Sequence, residues 1–443
     1  MKSGFLFDSD LCVNCKTCVA ACMLENNFQT ETRTVFVYNK NILPELNVLN
    51  LSLACNHCKD PLCLTGCPAR AYSLDKDTGL VIHDQGKCMG CGFCTWRCPF
   101  DAPKMNFEKG KIEKCSYCID RTRNGIEPAC VSACPTGALK SVYRDDFENV
   151  SSLIPNSRIN PSIEIKGREE YRHPEIYPEE PEQRIGKKYP DEHLLKEWSL
   201  ILFSFLVTIS ASLAASEYSG GIRTGYLPIF LILTSALIIS FTHLGSPLKS
   251  WRAILNVKSS PLSKEIVMVS LFAFAIFLNI FIENLPLQLV TILLGIFALS
   301  DIDGLYNSTD KSRSILFHSG QTFFSALLLF SAISGYIKLF AFLSILAGTS
   351  AVFRKYASSR STKQEWLLYT RLTLLVVPLL LILLKTYLNN YLFELSVLCG
   401  IFIDRVLFYA CFRPLNIRHY IEEKSFSDYE KTRRKRSQNT DLP

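Results

Sequence analysis

The first 140 residues lack the long apolar runs that build an ordinary hydrophobic core, and the start of the sequence lacks the pattern of a secretion signal. MKSGFLFDSDLCVNC has neither a charged-then-apolar segment nor a twin-arginine pattern. The second half has little cysteine, because all but two of the 18 cysteines precede residue 135. Clustered cysteines without such a signal argue against a disulfide framework and favour metal or cluster ligation in a reducing compartment. Ligation of this kind would hold together a domain that is poor in core residues.

Composition predicts four parts along the chain. Residues 1–145 form a cysteine-rich domain of short segments, in which RTVFVYN (33–39) and GLVIH (79–83) predict strands. Residues 146–196 are rich in proline and charge, which is typical of a solvated linker, although a strap lying over a partner subunit stays open. The third part, residues 197–412, is apolar, and residues 413–443 form a basic tail.

The apolar part contains eight runs of spanning length, which predicts an all-α polytopic membrane bundle of eight helices. An even number of spans returns the chain to its starting side. The cysteine-rich domain and the basic tail are therefore expected on one face of the bilayer. The runs lie near residues 198–216, 226–244, 265–283, 285–303, 315–336, 338–353, 367–387 and 391–411.

Basic residues are distributed unevenly between the two sets of predicted loops, with ten on the shared face and three opposite. This positive-inside bias predicts a multi-pass protein of the cell inner (cytoplasmic) membrane, with the cysteine domain and the C-terminus facing the cytoplasm. The formal net charge of +7 thus follows from membrane loops, and nucleic acid is not an expected partner. The shared-face residues are Lys249, Arg252, Lys258, Lys264, Lys311, Arg313, Arg354, Lys355, Arg360 and Lys363; the opposite ones are Arg223, Lys338 and Lys385.

Sixteen cysteines form four groups whose spacing is typical of iron–sulfur ligands. A CxxCxxC turn aims three thiolates at one cubane, while a cysteine four residues later points elsewhere and ligates the other cluster of a pair. Zinc also uses CxxC pairs, but it rarely needs three cysteines at this spacing followed by a fourth. Four groups would hold four [4Fe–4S] clusters. The groups are Cys12, Cys15, Cys18 and Cys22; Cys55, Cys58, Cys63 and Cys67; Cys88, Cys91, Cys94 and Cys98; and Cys115, Cys118, Cys130 and Cys134.

The cysteine groups resemble those of the iron–sulfur subunit of the dimethyl sulfoxide reductase family. The resemblance lies in the wider second group, CNHCKDPLCLTGC, and in the split fourth group that ends ACPTGAL (133–139). It implies an α+β domain of tandem bacterial-ferredoxin-like units with four cubanes, since Cys91 is present where some relatives lack a cysteine. The implied ligand sets are Cys12, Cys15, Cys18 and Cys134; Cys22, Cys115, Cys118 and Cys130; Cys55, Cys58, Cys63 and Cys98; and Cys67, Cys88, Cys91 and Cys94.

Four short stretches of the apolar part resemble the eight-span, quinol-oxidising anchor subunit of the same reductases. They are HLGSP (243–247), LSKE (262–265), LYNSTD (305–310) and DRVLFY (404–409). Together the two resemblances imply a fusion of electron-transfer and anchor subunits, with menaquinol as the usual electron donor. The sequence has no molybdopterin motif, so a molybdopterin-containing catalytic subunit is the implied partner.

Ionisable residues in predicted spans are costly and tend to mark sites. Those of this chain all map to the bilayer half that faces the cysteine domain, which predicts a polar pocket or proton route there. His243 and Glu265 are the expected catalytic pair, because both can accept a quinol proton and both sit on one short connection; the family resemblance also implicates them. The others could instead pair within the bundle or reach headgroups, and Cys399 and Cys411 are expected to be packing thiols. These others are Asp301, Asp303, His318, Arg371, Asp404 and Arg405.

Three functions are compatible with these features. The first is quinol oxidation, with electrons passed through four clusters to a molybdopterin reductase of an S-oxide, N-oxide or oxyanion in anaerobic respiration. The second uses the same redox centres in reverse and reduces quinone for a molybdopterin dehydrogenase. The third is a non-enzymatic assembly module in which the clusters are structural.

Overall fold

The computed structural model describes residues 2–38, 48–147, 159–167, 197–221, 223–282, 284–309, 321–357, 373 and 390–412. The protein forms two compact units. The cluster unit comprises the described residues of 1–188 together with segment 248–260. The helical unit comprises the described residues of 189–247 and 261–413.

A three-stranded sheet joins distant parts of the cluster unit. Its central strand β1 (Lys2–Asp8) pairs antiparallel with β8 (Leu139–Arg144) and parallel with β9 (Ile163–Lys166). Alternate residues of β1, among them Phe5 and Phe7, are buried at 1% exposure, as expected for a strand with one face on a core. The sheet therefore holds the beginning of the domain against its end.

Between β1 and β8, three hairpins alternate with short helices. The antiparallel pairs are β2–β3, β4–β5 and β6–β7. The predicted strands at 33–39 and 79–83 are confirmed as β2 and β5. The remaining elements are β2 (Thr34–Tyr38), β3 (Leu49–Leu53), β4 (Tyr72–Leu74), β5 (Val81–His83), β6 (Lys104–Asn106), β7 (Lys111–Glu113), α1 (Thr17–Asn26), α2 (Leu62–Gly66), α3 (Phe93–Arg97), α4 (Ile119–Arg123) and α5 (Ala129–Ser132).

The core of the cluster unit is small and lined with cysteine. Five cysteines pack against it, so a metal group bound to their thiols would also support the core. They are Cys12, Cys18, Cys58, Cys98 and Cys134. The buried members are Phe5, Phe7, Leu49, Leu51, Leu53, Leu80, Phe100, Tyr117, Cys130, Val131, Ala138, Leu139, Ile159, Ile163 and Ile165.

Two segments belong to the cluster unit although the sequence predicts them elsewhere. Residues 163–166 lie within the predicted linker 146–196, yet they form β9 with Ile163 and Ile165 buried. Residues 248–260 lie within the predicted anchor 197–412, yet they pack in the cluster unit, where residues Pro247–Asn256 form a 3₁₀ helix. Both segments are held in the cluster unit by contacts with residues distant in the sequence, β9 with β1 and segment 248–260 with residues 65–69 and 86. The local sequence pattern does not indicate such contacts.

The described residues of the helical unit form seven helices. Three of them are long and apolar enough to cross a membrane: α6, α8 and α9; α7 and parts of α10 and α11 are apolar but shorter. The helices are α6 (Trp198–Ser219), α7 (Tyr226–Phe241), α8 (Pro261–Phe281), α9 (Leu285–Asn307), α10 (Gln321–Ile333), α11 (Ile337–Ala357) and α12 (Asn390–Cys411).

The predicted bundle of eight helices is thus described in part. The seventh run, near 367–387, lies outside the described residues except for Thr373. Cys399 on α12 is exposed, so the predicted packing role is wrong for this thiol. The side chain of Cys411 lies outside the described residues.

Small and hydroxylic residues bring the helices into contact. Ser212 on α6 donates a hydrogen bond from Oγ to the Ala326 carbonyl (2.9 Å), and Asn279 on α8 donates from Nδ2 to Thr291 Oγ1 on α9 (2.8 Å). Phe272 packs against Gly295, where an added Cβ would meet the ring at 3.1 Å. Such contacts replace the hydrophobic driving force that is missing between helices in lipid.

Candidate functional site

Left-handed backbone turns shape the cysteine motifs. In the first group Asn14 and Lys16 flank Cys15 with φ of 55° and 59°, and in the third group Gly90 and Gly92 flank Cys91 with φ of 72° and 70°. Each positive φ bends the chain sharply, so that successive thiols turn toward one centre. The equivalent positions of the two groups thus share a backbone conformation, although only one group uses glycine.

Replacing Gly92 by alanine is expected to destabilise the cluster unit by about 1 kcal/mol, because a Cβ is unfavourable at positive φ. The space around this position is open, with no described atom within 4 Å of an added Cβ, so the cost is conformational rather than steric. The measurement is the temperature at which the purified protein loses its iron–sulfur absorbance. Gly92→Asn is the matched control, since asparagine tolerates this conformation better. Equal temperatures for alanine, asparagine and wild type would contradict the backbone argument.

Electrostatic proximity groups the sixteen thiols into four sets, and some thiols of neighbouring sets also lie within range of one another. Each set joins three thiols of one cysteine group to one thiol of another, because the fourth cysteine of each group lies near a different set. The same sets are those that the family resemblance implies. Set one is Cys12, Cys15, Cys18 and Cys134; set two is Cys22, Cys115, Cys118 and Cys130; set three is Cys55, Cys58, Cys63 and Cys98; set four is Cys67, Cys88, Cys91 and Cys94.

Most of these thiols are shielded from solvent. Burial raises the pKa of the Cys91 and Cys98 thiols to about 12, so without a bound cation they would stay protonated. Binding to iron would supply the compensating charge. No three His, Cys, Asp or Glu side chains in the described part of the chain converge as they would on a single metal ion. Ligands that each bind a different iron of one cluster are spaced more widely than ligands of one ion.

The surroundings of the buried Arg33 side chain indicate whether negatively charged clusters fit among the thiols. It is 1% exposed, stacks over the Phe5 ring at 4.7 Å from the centroid, and donates from Nη1 to Ser52 Oγ (3.1 Å). Among the described residues, its Nε and Nη2 find no hydrogen-bond partner. Its charged neighbours are thiols of sets one and two, among them Cys18 and Cys22. A buried guanidinium needs a negative group, and thiolate-bound clusters would provide one.

Lys114 occupies the corresponding place between sets two and three. It is 4% exposed and donates from Nζ to the Val81 and Cys115 carbonyls at 2.6 and 2.7 Å. Thiols of Cys55, Cys63 and Cys115 are its charged neighbours. Within the described residues, neither this ammonium nor the Arg33 guanidinium is paired with a carboxylate. The two buried cations therefore fit a site that holds negatively charged clusters.

In the helical unit, His243 and Glu265 are placed at either end of the connection that contains segment 248–260. Glu265 lies in the first two turns of α8 and is 7% exposed, with Asp301 and Asp303 of α9 within electrostatic range. His243 follows α7 and is half-buried; its Nδ1 makes no hydrogen bond of standard geometry to a described residue, although the Ser240 carbonyl lies nearby. In the described part of the chain, no hydrogen bond or ion pair joins the two side chains.

The other predicted ionisable residues have different surroundings. Asp303 accepts hydrogen bonds from the backbone N–H of Thr322 (3.1 Å) and Phe323 (3.2 Å), and so caps the start of α10. Arg405 is 1% exposed and lies within electrostatic range of Asp303, which favours a pairing role inside the bundle. Asp404 is also buried, at 3% exposure. His318 and Arg371 lie outside the described residues.

Two tyrosines lie near Glu265, and the sequence analysis did not predict a role for them. The hydroxyls of Tyr306 and Tyr409 are hydrogen-bonded to each other, and both lie within electrostatic range of Glu265. Tyr409 also donates to the Leu200 carbonyl (3.3 Å). A usable signal was present in the sequence, because Tyr306 belongs to LYNSTD and Tyr409 to DRVLFY, two of the stretches that resemble the anchor subunit.

Two family models match separate parts of the sequence. The model of the 4Fe-4S dicluster domain matches residues 46–144, and the model of the DMSO reductase anchor subunit (DmsC) matches residues 195–357. With the cysteine sets and the apolar helices, these matches define the class of the protein. It is an iron–sulfur electron-transfer protein that carries its membrane anchor in the same chain.

This protein belongs to the dimethyl sulfoxide reductase family. It is 34% identical over 185 residues to one of the chains of the anaerobic dimethyl sulfoxide reductase of Haemophilus influenzae, a match that covers 37% of this chain and 88% of the relative. It is 35% identical over 165 residues to the formate dehydrogenase-O iron-sulfur subunit of Escherichia coli (33% and 55% covered). It is 31% identical over 163 residues to one of the subunits of the tetrathionate reductase of Salmonella typhimurium (35% and 64% covered). The predicted family and the fused architecture are confirmed.

Proposed function

We propose that this chain is the electron-transfer and anchor subunit of a molybdopterin reductase in the cell inner membrane, with the cluster unit facing the cytoplasm. It oxidises menaquinol and delivers electrons through four [4Fe–4S] clusters to a catalytic subunit that reduces an S-oxide, N-oxide or oxyanion. The observation that carries the proposal is the arrangement of the thiol sets. Relatives named as parts of a dimethyl sulfoxide reductase and a tetrathionate reductase support the reductase class.

The four thiol sets adjoin one another in order. Cys22 of set two lies within electrostatic range of Cys18 of set one, and Cys115 of set two within range of Cys55 of set three. Tyr72 is buried between sets three and four, near Cys63 and Cys94. When bound, each cluster would store one electron at a time. Clusters bound to these adjoining sets would form one continuous path for single electrons across the cluster unit.

Glu265 and His243 supply the proton chemistry that quinol oxidation requires. A quinol loses two protons and two electrons on becoming quinone, so each ring hydroxyl needs an acceptor as its electron departs. The buried carboxylate of Glu265 can take one proton and the neutral imidazole of His243 the other. The hydroxyls of Tyr306 and Tyr409 are hydrogen-bonded to each other within electrostatic range of Glu265, and in this proposal they relay its proton onward.

The similarity to a formate dehydrogenase subunit favours a second candidate function. In it, a molybdopterin dehydrogenase feeds electrons into the clusters and this protein reduces quinone. The same residues would then give protons to the quinone oxygens instead of removing them. The two directions differ in the potentials that the clusters must have.

Addition of a menaquinol analogue to anaerobic membranes that contain the protein is expected to produce the EPR signals of reduced [4Fe–4S] clusters. A redox titration of the same membranes gives their midpoint potentials. At least one potential near or above that of the menaquinone couple is expected for a quinol-oxidising subunit. Signals that appear with dithionite but not with the menaquinol analogue would contradict this direction, and potentials far below the menaquinone couple would favour the reverse one. Membranes without the protein are the control.

A further inference from the structure

Segment 248–260 presents a row of hydrogen-bond donors to the cluster unit. The four residues of this donor row are spaced three or four positions apart, which is the spacing of one helical face. All their hydrogen bonds end on backbone carbonyl oxygens. Lys249 Nζ donates to Gly86 (2.5 Å), Arg252 Nη2 to Ala69 (3.4 Å), Asn256 Nδ2 to Cys67 (2.9 Å) and Thr65 (3.2 Å), and Ser260 Oγ to Gly66 (2.8 Å).

The accepting carbonyls belong to the end of α2 and the residues that follow it. The last carbonyls of a helix have no partner within the helix and must be satisfied from outside. Asn256 and Ser260, which are 7% and 0% exposed, do this for α2 and for Cys67 directly after it. Their hydrogen bonds fix the peptide that carries the Cys67 thiol.

The donor row contacts both segments of the protein that contribute to set four. Asn256 bonds the carbonyl of Cys67, and Lys249 bonds the carbonyl of Gly86, two residues before Cys88. Lys249 and Arg252 also place positive charges on the carbonyls of Gly86 and Ala69, each two residues from a cysteine of set four. Residues 248–260 lie in the range 195–357 that matches the anchor subunit, so a piece of anchor sequence completes the surroundings of one set of cluster ligands.

We propose that the donor row positions the cluster of set four and sets its reduction potential. Donors that bond the ligand peptide and cations placed beside it both stabilise the more negative, reduced cluster, and so raise its potential. The proposal rests on the proposed function only in requiring that set four holds a cluster. It does not depend on the direction of electron flow.

The test is a redox titration by EPR of membranes that contain the full-length protein. The double variant Asn256→Ala, Ser260→Ala and the single variant Lys249→Gln are each expected to lower one midpoint potential and leave the others unchanged. The affected signal is identified as that of set four by its change in Cys91→Ser. Ser259→Ala and Lys258→Gln are matched controls, because both positions are exposed neighbours of the donor row. Ser260→Thr keeps the hydroxyl and should retain the wild-type potential in an otherwise wild-type protein.

An unchanged potential for the set-four signal in both test variants would overturn the proposal. A uniform loss of all signals in both would also overturn it, since the donor row would then serve the fold as a whole. Lys249→Gln keeps the test informative if the double variant fails to fold, because it changes a side chain at the surface of the unit. A wild-type protein without any cluster signals would instead defeat the proposed function.

Discussion

Glu265→Gln is expected to lower the rate of menaquinol-dependent cluster reduction by about 100-fold or more, the usual contribution of a positioned acid–base group. Glutamine keeps the size and most of the polarity of glutamate but cannot accept the proton that the quinol must lose. Glu265 is suited to this role because it is buried in the helical unit beside two linked tyrosine hydroxyls. Stopped-flow reduction of anaerobic membranes gives the rate at saturating quinol analogue, where an effect on the chemical step separates from one on binding.

Glu394→Gln is the matched control for this variant, since Glu394 is a partly exposed acid on α12 of the same helical unit. Dithionite-reduced EPR spectra of each variant show whether the cluster unit is intact. His243→Ala should give a smaller loss if a water molecule can replace the imidazole. A wild-type rate for Glu265→Gln, with intact clusters, would remove Glu265 from the proposed quinol chemistry.

Arg33→Met is expected to lower the midpoint potentials of the clusters of sets one and two by on the order of 100 mV. At an effective dielectric constant of about 20, a unit charge about 6 Å away contributes about 3 kcal/mol, or about 120 mV for one electron. Screening by solvent is weak here, because the guanidinium is 1% exposed. Methionine fills much of the same volume without charge, so the core against Phe5 should stay packed. EPR redox titration measures the shift.

Two controls separate charge from packing in this experiment. Arg33→Lys retains the charge and should shift the potentials much less. Arg123→Met removes a cation from the same unit, but the Arg123 side chain is 64% exposed, so little change is expected. If Arg33→Met left both potentials at their wild-type values, the positive charge would not be compensating the clusters.

The four cysteine groups could be recognised in the sequence because their signal is local. In the two CxxCxxC runs the spacing predicts which three thiols share a centre; the family resemblance implies the other assignments, and the ligand sets stay a prediction. The strands β2 and β5 were also predictable, since each is a short apolar run between turns. The left-handed backbone at Lys16 could not be predicted, because a lysine does not indicate that conformation. The only indication is that Lys16 and Gly92 follow the second cysteine of their respective CxxCxxC runs.

The parts that escaped prediction depend on contacts between distant residues. Arg33 and Lys114 look like ordinary surface cations in the sequence, and only the fold reveals that they are buried among thiols. Tyr306 and Tyr409 are 103 positions apart and meet through helix packing. The sequence predicts segment 248–260 as a loop whose cations explain topology, whereas two of those cations bond carbonyls of the cluster unit.

The pairing of β1 with both β8 and β9 has a consequence for biosynthesis. Residues 2–8 are made first, yet their partners at 139–144 and 163–166 are made last among the described elements before the helices. Set one also joins early and late residues, because Cys12 is synthesised long before Cys134. The three-stranded sheet therefore closes late during translation, shortly before Trp198 and the first apolar helix are made, and segment 248–260 joins the cluster unit later still. Completion of the cluster unit therefore requires that α6 and α7, which precede segment 248–260, have already been synthesised.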